Sequence, residues 1–304
     1  MSLSKIENLE VVSVSYLCAA ASHVGLRRHK NEDKFLIDPL YNFFLVVDGM
    51  GGHSGGEIAA QTAVETIADR IKVSTGDDET RLKHSIICAN NAICRASRSN
   101  DRLSGMGCVL TALLLNEGLA SIANVGDARV YKLHNGILEL LTTDHSIVGE
   151  LGKNGELSEI RLMRHPRRNE VLRCVGIEER MTDEEDFVNL IRTDFQPEHA
   201  FLMCSDGLSD LVTSARILDI IHTHAESPKT IVRALVDEAN EAGGTDNITA
   251  IFIMGERFSQ AVESSKSNPF LSYKERITLI LLSRWVTLLY GFILGATIGW
   301  LLRS

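Results

Sequence analysis

FFLVVDG at positions 43–49 and FLMCSDG at 201–207 are one pattern written twice. Each is an apolar run of strand length, too short for a helix, and each delivers an aspartate followed by glycine. Asp48-Gly49 and Asp206-Gly207 are therefore expected where a buried strand ends and the chain turns sharply. Two more acidic groups stand at the start of apolar runs: Asp246 in GGTDN (243–247) before ITAIFI, and Asn31-Glu32-Asp33 before KFLI (34–37). Acids at strand ends on a rigid sheet are well placed to fix ligands.

Working outward, alternation over 11–18 predicts a half-buried strand. Apolar spacing of three and four predicts helices over 57–71 and 80–97. Strands follow at 108–115, 121–125 and 129–133, and Asn135-Gly136 marks a tight hairpin. Further strands are expected at 188–191, 201–204 and 248–253, with helices at 215–223 and 228–242 between the last two. Short loops join the strands in place of regular helical crossovers. That favours an α+β layered domain with largely antiparallel sheets over a doubly wound parallel sheet. No internal repeat of 20–50 residues is present.

The chain has 304 residues and a formal net charge of −9, so it repels phosphate backbones and nucleic acid is excluded as a partner. Its six cysteines form no CxxC pair, which argues against a zinc ribbon or a thioredoxin-like site and for free core thiols in a reducing compartment. The first ten residues are polar, unlike a signal peptide. Residues 1–258 read as one catalytic-sized domain and the Ser-rich 259–275 as a linker. Positions 276–304 read as an anchor. Its span, WVTLLYGFILGATIGWLL at 285–302, has no charge and a tryptophan at each end. As a helix it is roughly 27 Å long, close to the ~30 Å hydrocarbon core. Lys266, Lys274, Arg276 and Arg284 precede it and Arg303 follows, which places the large domain in the cytoplasm beside the membrane. Gly291, Gly295 and Gly299 form one smooth stripe, a candidate homodimer face.

Converging carboxylates repel unless cations or protons sit between them. Oxygen donors without His or Cys suit magnesium or manganese rather than zinc, and a pair of such ions can clamp a phosphoryl oxygen. Arg28, five residues before Asp33, can grip a phosphate bidentately. Asp127 in GDAR (126–129) is a turn aspartate or a peripheral ligand. A rival pattern is GHSGG at 52–56, which matches the G-x-S-x-G elbow, with Ser54 as nucleophile and Asp206 and His222 as partners. Against it, the strand ends at Val47, seven residues early, and the other acids are left unexplained.

RxxNED, DGMGGHSGGE, GDAR, TTDHS, HPRRN, CSDGLSD and GGTDNIT occur in this order over about 23–253. Together they resemble the bacterial form of the metal-dependent type 2C serine/threonine protein phosphatases. The resemblance implies a four-layer αββα sandwich of two antiparallel sheets, and two manganese or magnesium ions at one edge. It implies that Asp48 bridges both ions with the Gly49 carbonyl on one, that Asp206 and Asp246 hold the other, and that Glu32 and Asp33 ligate directly or through water. Arg28 would hold the phosphate, Asp127 with Asp206 a third ion, and 144–180 would form the flap bordering the cleft. His23, Ala128 and Met50 depart from the usual Asp, Ser and, in many eukaryotic relatives, His. With Met50 in place, His53 and a metal-bound water are the two candidates for general acid.

The expected activity is hydrolysis of phosphoserine and phosphothreonine by a metal-bridging hydroxide. The implied partner is a phosphorylated protein, a Ser/Thr kinase or its target. A serine hydrolase and a membrane-anchored non-catalytic module are the alternatives. The acidic run at 183–186 reads as a solvated loop or as a selector of basic partners.

Overall fold

The apolar run that starts at Phe43 is one strand of two antiparallel sheets. The computed structural model describes residues 7–13, 15–52, 54–184 and 186–267. The chain divides into two compact units, Met1–Ala261 and Val262–Ser304. The first unit holds β1 (Glu7–Val12), β2 (Tyr16–His23), β3 (Lys34–Asp38), β4 (Phe43–Met50), β5 (Gly107–Asn116) and β6 (Leu119–Val125). It continues with β7 (Arg129–His134), β8 (Ile137–Leu140), β9 (Asn189–Asp194), β10 (Ala200–Cys204) and β11 (Ile248–Gly255). One sheet runs β1-β2-β11-β10-β7-β8 and the other β3-β4-β5-β6-β9, with every neighbouring pair antiparallel.

The period of two sorts the side chains between layers. On β4, Phe44 and Val46 meet Phe201 and Met203 of β10 and Ile251 and Ile253 of β11 between the sheets. Phe43, Leu45 and Val47 point the other way, onto helices α1 (Gly55–Val73) and α2 (Asp78–Ser99). Helices α6 (Ser214–Thr223) and α7 (Pro228–Glu241) follow β10, and α7 packs on β2 and β11. The result is an α+β sandwich, two antiparallel sheets between helices. Each fully buried Phe, Leu or Ile contributes about 1.5–3 kcal/mol, so register is strongly fixed.

Two readings change and a third lies out of reach of the described residues. The expected strand at 11–18 is two strands, β1 and β2, folded as a hairpin in which the Ser13 N–H donates to the Tyr16 carbonyl at 2.9 Å. Serines at the break supplied turn chemistry that a pure alternation count passes over. The segment taken as a linker from 259 begins as helix α8 (Phe258–Ser267). Phe258 anchors its first turn edge-on against Phe252, and Ser259 Oγ donates to the Ala225 carbonyl at 2.7 Å. The expected membrane span and the Gly291, Gly295, Gly299 stripe lie outside the described residues. Among those, no helix is long and apolar enough to cross a membrane.

The sheets are also joined by charge. Lys132 of β7 is buried, and its Nζ donates to Asp194 Oδ1 at 2.6 Å and Thr193 Oγ1 at 2.9 Å on β9. The Lys132 hydrogen bond holds the Asp194 carboxyl below its usual range. Asp194 is half-exposed and rehydrates if its partner is lost, whereas the ammonium does not. Asp194→Ala should therefore destabilise by about 2 kcal/mol and Lys132→Met by about 1 or less. Urea midpoints in the reverse order would show that the ammonium is not the buried partner.

Candidate active site

The two-residue period and antiparallel pairing gather the acids at one end of the sandwich. On β4, Asp48 continues the inward face of Phe44 and Val46. Asp33 stands two residues before Phe35 and four before Ile37, on the same face of β3. Lys34 pairs with Val47, Cys204 with Ala250 and Arg129 with Cys204, so these strand ends lie together. Asp206 opens the short helix α5 (Asp206–Ser209) after β10, and Asp127 precedes β7 in a turn where Gly126 has φ 102. One cleft of about 210 Å³ is lined by Arg28, Glu32, Asp48, Gly49, Asp127, Asp206 and Asp246, together with Met50, Gly51, Val109, Asn169, Val171 and Asn247.

Asp48-Gly49 does not turn. The strand runs through to Met50, with Asp48 opposite Val109 and Gly49 opposite Cys108. A Cβ at Gly49 would stand 2.1 Å from the Gly56 carbonyl oxygen, and one at Gly207 would stand 1.9 Å from that of Asn247. Both glycines let backbone pass close beside an aspartate.

Polar residues in and behind the cleft hold the acids. The Asn247 amide donates to the carbonyls of Val24 (2.9 Å) and Lys30 (2.8 Å), and its Oδ1 accepts the Glu32 N–H at 2.8 Å. It thereby clamps the loop that carries Arg28 and Glu32. Ser205 Oγ donates to Asp33 Oδ2 at 2.8 Å and accepts the Thr249 N–H at 3.0 Å. Arg28 Nη2 lies 2.7 Å from Asp246 Oδ2 and is half-exposed, so one face of its guanidinium is open to a ligand.

The electrostatics call for a cation. Burial, with Asp33 and Asp206 nearby, raises the Asp48 carboxyl well above the ordinary range. Burial pushes Asp33 up to about 7, against hydrogen bonds from Thr249 and Ser205. Asp206 is pushed to about 6 by burial and by Asp246. Asp127 is raised well above its usual range by burial and Asp206. Asp33 Oδ1 and Asp206 Oδ1 are buried with no hydrogen-bond partner. Unpaired carboxylate oxygens at this density are what a hard divalent cation relieves, so the donor set fits magnesium or manganese. Among the described residues, no three His, Cys, Asp or Glu side chains close around one point. A cation here would be held by one or two carboxylates, with water in the rest of its shell, which suits magnesium or manganese.

The segment 144–180 borders the cleft and carries α3 (Ile147–Lys153) and α4 (Glu159–Met163). At its base, Asp144 forms a buried bidentate pair with Arg129. Burial and Arg173 push the His145 imidazole down to about 4, leaving it neutral to accept the Gly126 N–H at 3.1 Å. Asn90 and Asn91 of α2 hold the far end through Gly176, Glu178 and Arg180. A cleft of about 620 Å³ at the base contains Asp144, whose carboxylate Arg129 already occupies.

Residues 26–238 match the family model described as Protein phosphatase 2C. The chain belongs to the protein phosphatase 2C family. The serine/threonine phosphatase Stp of Listeria monocytogenes is 37% identical over 240 residues, covering 75% of this chain and 92% of that protein. The crystal structure of the Mycobacterium tuberculosis serine/threonine phosphatase PstP/Ppp superposes with a TM-score of 0.71 at 29% identity, over 79% of this chain and 99% of that one. The PstP catalytic domain in complex with two manganese ions gives 0.67 at 28%, over 79% and 98%.

Of the eight 2C motif residues expected to bind metal or phosphate, seven line one cleft: Arg28, Glu32, Asp48, Gly49, Asp127, Asp206 and Asp246. The eighth, Asp33, is not in that lining; it is buried and accepts from Ser205 Oγ. His53 lies outside the described residues. The rival triad is not assembled, because Ser54 Oγ accepts from Lys30 Nζ at 3.2 Å and Asp206 belongs to the carboxylate group. Sequence reasoning missed Ser205, Asn247, Thr249, Asn169 and Asp210. All five sit inside quoted motifs, Asn169 in HPRRN, Ser205 and Asp210 in CSDGLSD, and Asn247 and Thr249 in GGTDNIT, but nothing in the spacing marked their roles.

Proposed function

We infer that the chain is a metal-dependent protein serine/threonine phosphatase acting on phosphoserine and phosphothreonine. The observation that carries it is the set of buried carboxylates converging beside Arg28, two of whose oxygens have no partner. When bound, two manganese or magnesium ions supply an activated water near neutral pH and neutralise phosphate charge. Asp48 and Gly49, with Asp206 and Asp246, would hold them, with Glu32 and Asp33 in support. Asp127 with Asp206 would hold a third ion. The chain's own part is to bind and orient. Arg28 grips the phosphate dianion, Asn247 fixes the loop that aims Arg28, and the flap narrows the cleft. Among the described residues lining the cleft there is no Ser, Thr, Cys or His, so a covalent route through those side chains has no nucleophile here, and the aspartates that remain are the ones this reading assigns to the cations. His53 would be this chain's own proton donor to the leaving oxygen, and the ions when bound would offer water as the other source.

The uncharged run at 285–302, with its flanking tryptophans and preceding basic residues, supports a membrane helix that keeps the catalytic domain in the cytoplasm. Its glycine stripe suits a homodimer contact. A phosphorylated kinase or its target is the partner class this reading requires. The full chain should release phosphate from a phosphothreonine peptide with manganese and stop with EDTA. In cells this activity should sediment with membranes and resist a carbonate wash. Turnover insensitive to EDTA, with Ser54 labelled by a fluorophosphonate, would establish the serine hydrolase instead. Activity left in the soluble fraction would remove the anchor.

A further inference from the structure

The flap contributes one polar side chain to the cleft that the reaction above does not use. Asn169 lines the cleft with Arg28 and the carboxylates and is exposed. Among the described residues, its amide has no hydrogen-bond partner of its own. The residues around it are all engaged. Arg167 pairs bidentately with Glu170, at 2.9 and 2.8 Å. The Glu170 carbonyl accepts the Ile147 N–H at 3.2 Å, and Val171 forms a β-bridge with Ser146. Arg168 Nε lies 3.1 Å from Asp210 Oδ2, at the end of the α5 turn that Asp206 opens. A second tie follows on the same side, where Glu159 of α4 accepts from the Ser214 N–H and Oγ, both at 2.7 Å. The chain is thus pinned on both sides of Asn169. Its two N–H donors and one carbonyl acceptor stay open at the cleft.

That donor and acceptor set matches a peptide group. The phosphate already has Arg28 and the cation site to take its charge, whereas the polypeptide on either side of a phosphorylated residue has no other assigned polar partner in the cleft lining. We propose that Asn169 is a specificity-determining residue that hydrogen-bonds the substrate's main chain beside the phosphorylated residue. Arg168 is its positioning residue, holding the flap in register through Asp210. This rests on the phosphatase reading above.

The test compares a phosphothreonine peptide with p-nitrophenyl phosphate, which has no main chain, using the full chain and manganese. Asn169→Ala should lower kcat/KM for the peptide about tenfold more than for the aryl phosphate, chiefly through KM. Asn169→Gln should recover part of that difference. Arg168→Met should show the same substrate-selective loss, and Arg168→Lys should restore part of it. Equal losses on both substrates, or no loss on either, would overturn the proposal. If the wild-type chain shows no manganese-dependent hydrolysis of either substrate, the phosphatase reading itself fails and takes the proposal with it.

Discussion

Asp48→Asn should reduce manganese-dependent kcat/KM by at least about a thousandfold, equivalent to about 4 kcal/mol of barrier. The same substitution should make the metal-free protein more heat-stable than metal-free wild type at pH 7.5. The two effects share a cause. Asp48 is half-buried at the cleft with Asp33, Asp206, Asp127 and Asp246 around it, and desolvation and those charges raise its carboxyl, so its charge opposes the fold unless a cation compensates it. Asparagine keeps the shape and removes the charge. It can donate hydrogen bonds to the neighbouring carboxylates, Asp206 among them, which lies within hydrogen-bond reach of Asp48. It brings no negative charge to a cation. A variant that lost activity simply by misfolding would melt earlier in EDTA. The expected variant melts later in EDTA and gains less from manganese than wild type. Retained turnover, or a lower melting point in EDTA, would remove Asp48 from the centre of the site.

The reason for the gathering of these acids was visible before any coordinates. The apolar runs at 43–47 and 201–204 mark two buried strands that each deliver an aspartate at the end, but being apolar throughout they do not say which face that aspartate takes; the packing of Phe44 and Val46 between the sheets does. The antiparallel reading then brought the ends of β4 and β10 and the starts of β3, β7 and β11 together. What stayed hidden depends on contacts far apart in sequence. Asn247 reaches Val24, Lys30 and Glu32, more than two hundred positions away. Ser205 works only because Asp33 is folded against it. The glycines after Asp48 and Asp206 look like turn signals. They are there because Gly56 and Asn247 pass too close for a Cβ. The flap's ties, Arg168 to Asp210 and Glu159 to Ser214, join segments that no local period connects.

Manganese should raise the melting temperature, and the rise should grow with pH between about 5.5 and 7.5. Asp33 sits near 7 and Asp206 near 6, both raised mainly by burial. A carboxyl whose pKa is higher in the folded state binds its proton more tightly there than when unfolded. That contribution is fully present below the unfolded value near 4 and is lost as pH rises through 6 and 7. Each such proton gives a slope of at most about 1.4 kcal/mol per pH unit. The metal-free protein should therefore lose stability steadily from pH 5 to pH 8. Cations replace those protons and hold the carboxylates ionised, so with manganese the slope should flatten. At a hundred times its dissociation constant, one ion adds about 2.7 kcal/mol. In a domain of this size that is roughly 5–10 °C. Melting curves at three pH values, in EDTA and in manganese, read both the slope and the gap. An EDTA series that is flat or rises with pH would mean that these carboxylates are solvated and hold no cation between them. The charge of this cluster would then offer no reason for a metal to bind.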